Sequence, residues 1–90
     1  MTRYVLYNKE LGVYLGSSMG MGFWSNLDPV GQAHAVSWPE EMLDVVREFI
    51  DSWDDPVDVE MVPVKTSTQD GYVTMTECVE AGLPGWNRHA

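Results

Sequence analysis

The side chains that most often carry out covalent chemistry are scarce in this 90-residue sequence. It holds one cysteine, Cys78, and two histidines, His34 and His89, and no Cys or His pair has the spacing of metal ligands. No Gly-x-Ser-x-Gly elbow is present, and the glycine-rich segment 16–22 lacks the Lys-Ser/Thr pair of a phosphate-binding loop. A lone cysteine in a strand-like pattern is typically a small buried hydrophobe. We therefore expect no enzyme, no catalytic residue, no metal ion and no other cofactor.

Carboxylates are the abundant functional groups, and most of them lie in one segment. Residues 40–60 contain nine acids and one base, Arg47, a net charge of −8, whereas the other 69 residues hold five acids and four bases. The glycine and terminal glutamate of an EF-hand loop are missing from this segment. The nine acids are the candidate partner-binding residues: Glu40, Glu41, Asp44, Glu48, Asp51, Asp54, Asp55, Asp58 and Glu60.

This charge asymmetry predicts the class of partner. Direct binding to nucleic acid or to an anionic membrane needs cationic surface, so we expect neither. A basic surface on another protein is the favoured partner. The alternative is that the acids only keep a small protein soluble.

Most of the acids are placed by a predicted helix that ends before Pro56. Ser37 and Glu40 have the spacing of a capping box, with Pro39 in the first turn. Asp51, Asp54 and Asp55 are predicted to lie at the negative end of the helix dipole. Folding stability alone does not explain acids at this unfavourable position. Apolar residues recur at the helical period and predict one face that packs on a sheet: Met42, Val45, Val46, Phe49, Ile50 and Trp53.

The remaining elements read as strands. Residues 4–15 predict a hairpin around the turn 8–10, and residues 32–36 predict a short third strand. Residues 57–64 alternate apolar and acidic side chains, and Pro63 predicts an edge or a bulge there. Asp70-Gly71 indicates a hairpin that leads into a last strand over 72–79. We expect one α+β domain over residues 1–90, with an antiparallel sheet of four to five strands in the order ββ(β)αββ and the amphipathic helix packed on one face.

A second candidate contact lies in the irregular, glycine-rich segment 16–31. Large apolar side chains stand there on a backbone that glycines make adaptable: Met19, Met21, Phe23 and Trp24. Such residues fold back over a sheet or form an adaptable exposed patch, and both readings stay open.

The sequence also indicates a compartment. One cysteine cannot form an intramolecular disulfide, and no apolar stretch near the start has the length of a signal peptide. No apolar run approaches the roughly 20 residues of a membrane span. We expect a soluble, cytoplasmic protein, in the host cytoplasm if a phage encodes it.

In size, acidity and layout the chain resembles small accessory proteins of phages and mobile elements, and among these it is similar in kind to anti-CRISPR proteins. The resemblance covers one helix on an antiparallel sheet without a catalytic motif, and no diagnostic motif supports it. It implies inhibition of a host CRISPR effector at its nucleic-acid-binding surface, in some cases by imitation of DNA charge. No site residue is transferred from this resemblance.

Three hypotheses follow. The first is an inhibitor that occupies a basic, nucleic-acid-binding surface of a host protein. The second is a self-associating structural module that uses the segment around Trp24 and the strand edges, so that both monomer and homodimer stay open. The third is an enzyme or small-ligand protein that uses the glycine-rich segment and His34.

Overall fold

The computed structural model describes residues 1–18, 21–27 and 34–84, and Ser18 by its backbone alone. The strands are β1 (Thr2–Asn8), β2 (Gly12–Ser18), β3 (Met21–Trp24), β4 (His34–Val36), β5 (Glu60–Lys65) and β6 (Tyr72–Thr74). A 3-10 turn at Glu40–Met42 leads into α1 (Leu43–Asp51), and α2 (Met75–Glu80) follows β6. The predicted α+β class and antiparallel sheet are confirmed.

The predicted hairpin is formed by β1 and β2. Oδ1 of Asn8 accepts hydrogen bonds from the backbone N–H of Glu10 at 2.8 Å and of Leu11 at 2.9 Å, which closes the turn. Gly12 follows with a φ of +91°, a region that favours glycine. The turn chemistry is therefore local, which is why the sequence pattern indicated it.

The main sheet has the order β3-β2-β1-β5, and all its pairs are antiparallel. β1 pairs with β5 from Thr2 opposite Lys65 to Tyr7 opposite Glu60. β5 is an edge strand, so Pro63 lies where its missing N–H is tolerated, as predicted. The strand begins only at Glu60, although the apolar–acidic alternation predicted it from residue 57.

Both faces of this sheet are covered. Val5 and Leu6 are neighbours in β1 and point to opposite faces, yet both are fully buried. Leu6 packs with Val46 and Ile50 of α1 on one face, as predicted. On the other face Val5 belongs to a second apolar cluster that includes residues of β4, β6 and α2. The fold therefore has three layers with the sheet in the middle.

The outer layer opposite α1 contains a small two-stranded sheet. β4 pairs antiparallel with β6, with Ala35 opposite Val73. A short strand here was predicted over 32–36, and residues 34–36 confirm it, whereas 32–33 lie outside the described residues. The predicted Asp70-Gly71 hairpin is wrong, because β5 and β6 belong to different sheets.

The predicted capping box at the start of the first helix is also wrong. Pro39 is the cap residue of the 3-10 turn and no side chain caps it. Ser37 is buried and accepts a hydrogen bond from Nε of Arg3 at 2.7 Å, while the Arg3 guanidinium also donates to its carbonyl. The serine hydroxyl is therefore engaged by β1 and unavailable to the helix.

The last predicted strand, 72–79, is wrong beyond Thr74, where α2 begins. Oγ1 of Thr74 accepts from the N–H of Glu77 and the Glu77 carboxylate accepts from the N–H of Thr74, which forms a capping box. The helix ends in a Schellman motif, in which Gly82 donates to Val79 and Leu83 donates to Cys78. Local backbone hydrogen bonds outweigh the strand propensity of this segment.

Candidate partner-binding surface

The nine acidic side chains predicted as a partner surface are all exposed. Within the described part of the chain, no Lys or Arg nitrogen lies within 4.0 Å of a carboxylate oxygen. Arg47 has helical i,i+3 spacing to Asp44 and i,i+4 spacing to Asp51, yet it pairs with neither of them. The charge of residues 40–60 is thus presented to solvent without compensation by the described Arg3, Lys9, Arg47 and Lys65.

Several of these acids lie in one row on the surface. Asp44, Glu48 and Asp51 are spaced i, i+4 and i+7 in α1, so they share one helix face. Asp51 also lines a surface groove of about 490 Å³ together with Asp58 and Glu60. Lys9 and Arg47 line the same groove. The row therefore continues from the helix to the start of β5, with two cations at its border.

The apolar face of α1 is only half covered by the sheet. Val46 and Ile50 are buried in the core, whereas Val45 is 56% and Phe49 is 40% exposed. Met42, at the start of the helix, is also exposed. The expectation that the whole stripe packs on the sheet is therefore wrong, because a helix can turn only part of a broad apolar arc toward a flat surface. An apolar flank remains beside the acidic row.

A second groove, also about 490 Å³, lies at the C-terminal end of α1. Its lining includes four aromatic residues and two adjacent acids: Tyr14, Trp24, Phe49, Trp53, Asp54 and Asp55. Within the described residues, no Lys, Arg or His lines this groove. It therefore combines ring surface with uncompensated negative charge, and we refer to it as the aromatic groove.

The rings of the aromatic groove pack edge to face around Trp53. The ring centroids of Phe49 and Trp53 are 5.4 Å apart at 86°, and those of Trp24 and Trp53 are 6.1 Å apart at 87°. The ring centroids of Tyr14 and Trp24 are 5.1 Å apart. Such pairs contribute about 0.5–1.5 kcal/mol each beyond area burial. The groove is thus built on a fixed aromatic cluster.

The predicted secondary contact falls on β3, which is an edge strand rather than an irregular loop. Met21 is 67% exposed and Phe23 is also exposed, whereas Trp24 is buried in the core beside α1. Met19 lies outside the described residues. Trp24 is therefore folded back onto the core, whereas Met21 and Phe23 are exposed on the other side of the strand.

Two of the groups considered for chemistry, Cys78 and His34, lie among the described residues. Cys78 is fully buried, and desolvation, with a smaller contribution from the Glu77 charge, raises the pKa of its thiol to about 11. A thiol of this kind is protonated at neutral pH and is a poor nucleophile. His34 is exposed on β4. Among the residues that the structure describes, no group of three His, Cys, Asp or Glu side chains is arranged to hold a metal ion.

Sequence reasoning missed the aromatic groove. Trp53 was assigned to the helical stripe and Tyr14 to the hairpin, and neither pattern shows that they meet. The strand alternation places the Tyr14 ring on the correct face of β2, and the helical period does the same for the Trp53 ring. Whether the two rings meet depends on how α1 is rotated about its axis on the sheet.

No helix in the described ranges 1–18, 21–27 and 34–84 has the length and apolar character needed to cross a membrane. Comparison with protein-family models, curated proteins and solved structures gave no match.

Proposed function

We propose that this chain binds a basic surface of another protein through the acids of residues 40–60 and inhibits the function of that surface. The observation that carries the proposal is that all nine carboxylates are exposed while the described cations pair with none of them. Carboxylates aligned on one helix face act additively on a cationic partner. Asp51 and Asp54 lie at the negative end of the helix dipole, where they weaken the helix and strengthen attraction for a cation.

The proposed target is a nucleic-acid-binding protein of the host cell. Duplex DNA carries one negative charge per ~1.7 Å of helix axis, so a surface that binds DNA is lined with Lys and Arg. The acidic row from Asp44 to Glu60 would occupy such a surface in place of the phosphates. A CRISPR effector is the particular candidate, in line with the resemblance to anti-CRISPR proteins. The proposed site of action is the host cytoplasm, and the proposed role is not enzymatic.

The test is capture of the partner at two ionic strengths, followed by a competition assay. The chain immobilised on a support is expected to retain a basic host protein at about 0.01 M ionic strength and to release most of it at 1 M, where the Debye length is about 3 Å. The captured protein should then lose nucleic-acid binding as the chain is added. Asp44→Lys/Glu48→Lys should abolish both effects, whereas Val45→Ala on the same helix should preserve them. Unchanged capture by the charge-reversed variant would refute the proposal.

A second candidate function rests on β3. This strand ends the sheet, and its exposed Met21 and Phe23 lie beside an edge whose backbone groups can pair with another strand. A homodimer formed through β3 would make the chain a self-associating module. Light scattering coupled to size exclusion distinguishes the two candidates, because a strict monomer at high protein concentration excludes the second.

A further inference from the structure

We infer that the aromatic groove receives an arginine side chain of the basic partner, an inference that rests on the proposed function and specifies its central contact. The groove lies where α1 ends and is lined by Phe49, Trp53, Asp54 and Asp55. It differs from the neighbouring groove beside Asp58, which Lys9 and Arg47 also line. The acids of the aromatic groove therefore have no cation beside them, among the described residues, to compete with an incoming arginine.

Three features of the groove each attract a cation. Phe49 and Trp53 present ring surface that attracts a cation within about 6 Å of the ring centroid. Asp54 and Asp55 are exposed and supply two carboxylates at its rim. The C-terminal end of α1 adds the negative pole of the helix dipole, and its last turn runs directly into the groove through Ser52 and Trp53.

The aromatic and acidic lining of the groove favours a guanidinium over an ammonium ion. A guanidinium is planar and weakly hydrated, so it stacks on an aromatic ring while its N–H groups donate to carboxylates. An ammonium ion is compact and strongly hydrated and gains less from ring surface. Gly22 keeps the groove open, since a Cβ there would lie 3.3 Å from the Tyr14 ring and 3.6 Å from Nε1 of Trp24.

This assignment also explains the position of Asp54 and Asp55. On a free helix, acids beyond the C-terminus are unfavourable, because they face the negative end of the helix dipole. A bound arginine offsets that repulsion, because its positive charge attracts both the carboxylates and the negative end of the helix. The same two residues that weaken the isolated chain would then stabilise the complex.

The test uses acetylated hexa-arginine as a probe, hexa-lysine as its charge-matched comparison, and the full chain. Binding is followed by tryptophan fluorescence and by the indole N–H signals in ¹H–¹⁵N spectra. Hexa-arginine is expected to bind more tightly than hexa-lysine and to shift the indole signal of Trp53. Phe49→Ala should weaken hexa-arginine binding about 3- to 30-fold, whereas Val45→Ala should not change it.

Two pairs of variants separate the groove from general charge. Asp54→Asn/Asp55→Asn should weaken binding at least about tenfold, whereas Glu40→Gln/Glu41→Gln removes the same charge at the other end of the segment and should have a much smaller effect. Gly22→Leu, on the exposed edge strand, should block the groove without removing any ring or charge. Circular dichroism of each variant checks that it is folded.

The outcomes distinguish this inference from the proposed function. Equal weakening by the two double variants, with Phe49→Ala and Gly22→Leu unchanged, overturns the groove and leaves binding by general acidity intact. Equal affinity for hexa-arginine and hexa-lysine overturns the assignment to arginine. Binding that depends on the groove but not on Asp44 and Glu48 would contradict the acidic-row proposal while supporting the groove. Absence of hexa-arginine binding at about 0.01 M ionic strength overturns both.

Discussion

At the scale of single residues, Gly12 and Ser25 form a close contact that leaves no room for a larger residue at position 12. Ser25 is fully buried, and its hydroxyl accepts a hydrogen bond from the N–H of Val13 at 2.9 Å. A Cβ on Gly12 would overlap that hydroxyl. The two residues therefore hold the β1–β2 turn against the chain that follows β3.

Gly12→Ala is expected to lower the free energy of unfolding by about 2–4 kcal/mol, because it adds a steric overlap to an unfavourable positive φ. Gly82→Ala is the matched control, since Gly82 has a φ of +94° but open space around it. The control should cost about 1 kcal/mol. Urea denaturation measures both, and equal losses would show that the overlap with Ser25 is relieved.

At the scale of secondary-structure elements, α1 shows how a local pattern and its packing differ. Val45 and Val46 are adjacent and chemically identical, but Val46 is 2% exposed and Val45 is 56% exposed. Val46→Ala should cost about 1.5–3 kcal/mol of unfolding free energy, and Val45→Ala should stay within about 0.5 kcal/mol. Thermal denaturation followed by circular dichroism compares the two. Similar losses would mean that the exposed flank is covered in solution.

The capping box of α2 gives a pH dependence. The hydrogen bond donated by the backbone N–H of Thr74 holds the pKa of Glu77 below its usual value of 4.5. Its contribution to stability is therefore present above about pH 4.5 and is lost as the pH falls through the lowered folded-state pKa. The difference in stability between the wild type and Glu77→Gln should shrink over that acidic range. Glu80→Gln on the same helix is the control, and the same trend in both variants would contradict the assignment.

The elements also show how far the sequence alone reached. The Asn8 turn, the alternation at 57–64 and the helical stripe ending at Trp53 are local patterns. Each predicted its element, although β5 begins only at Glu60 and α1 already ends at Asp51. The capping box at Thr74 was missed because Tyr72 and Val73 have strand propensity up to the residue that caps the helix. Ser37 was assigned to the helix because its tertiary partner, Arg3, is 34 residues away. The aromatic groove depends on contacts of the same long-range kind.

At the scale of the whole molecule, charge opposes folding. The chain has 14 acids and five bases, and the described carboxylates form no ion pair within 4.0 Å. Self-repulsion is therefore expected to outweigh attraction. The melting temperature should rise when NaCl is increased from about 0.01 M to 0.15 M, because screening weakens mostly repulsive interactions. Differential scanning calorimetry measures the shift, and a fall in melting temperature would reveal attractive pairs.

The pairing of β1 with β5 has a consequence for the order of folding. Thr2 lies opposite Lys65, so the ladder between β1 and the edge strand β5 joins parts of the chain that are far apart in sequence. Closing so long a loop costs entropy before the ladder repays it, and folds dominated by such pairings fold slowly compared with helical bundles. A nascent chain that ended before Glu60 would leave the Thr2–Asn8 strand without this neighbour. β1 therefore gains the second of its two strand neighbours only after the later half of the chain has been made.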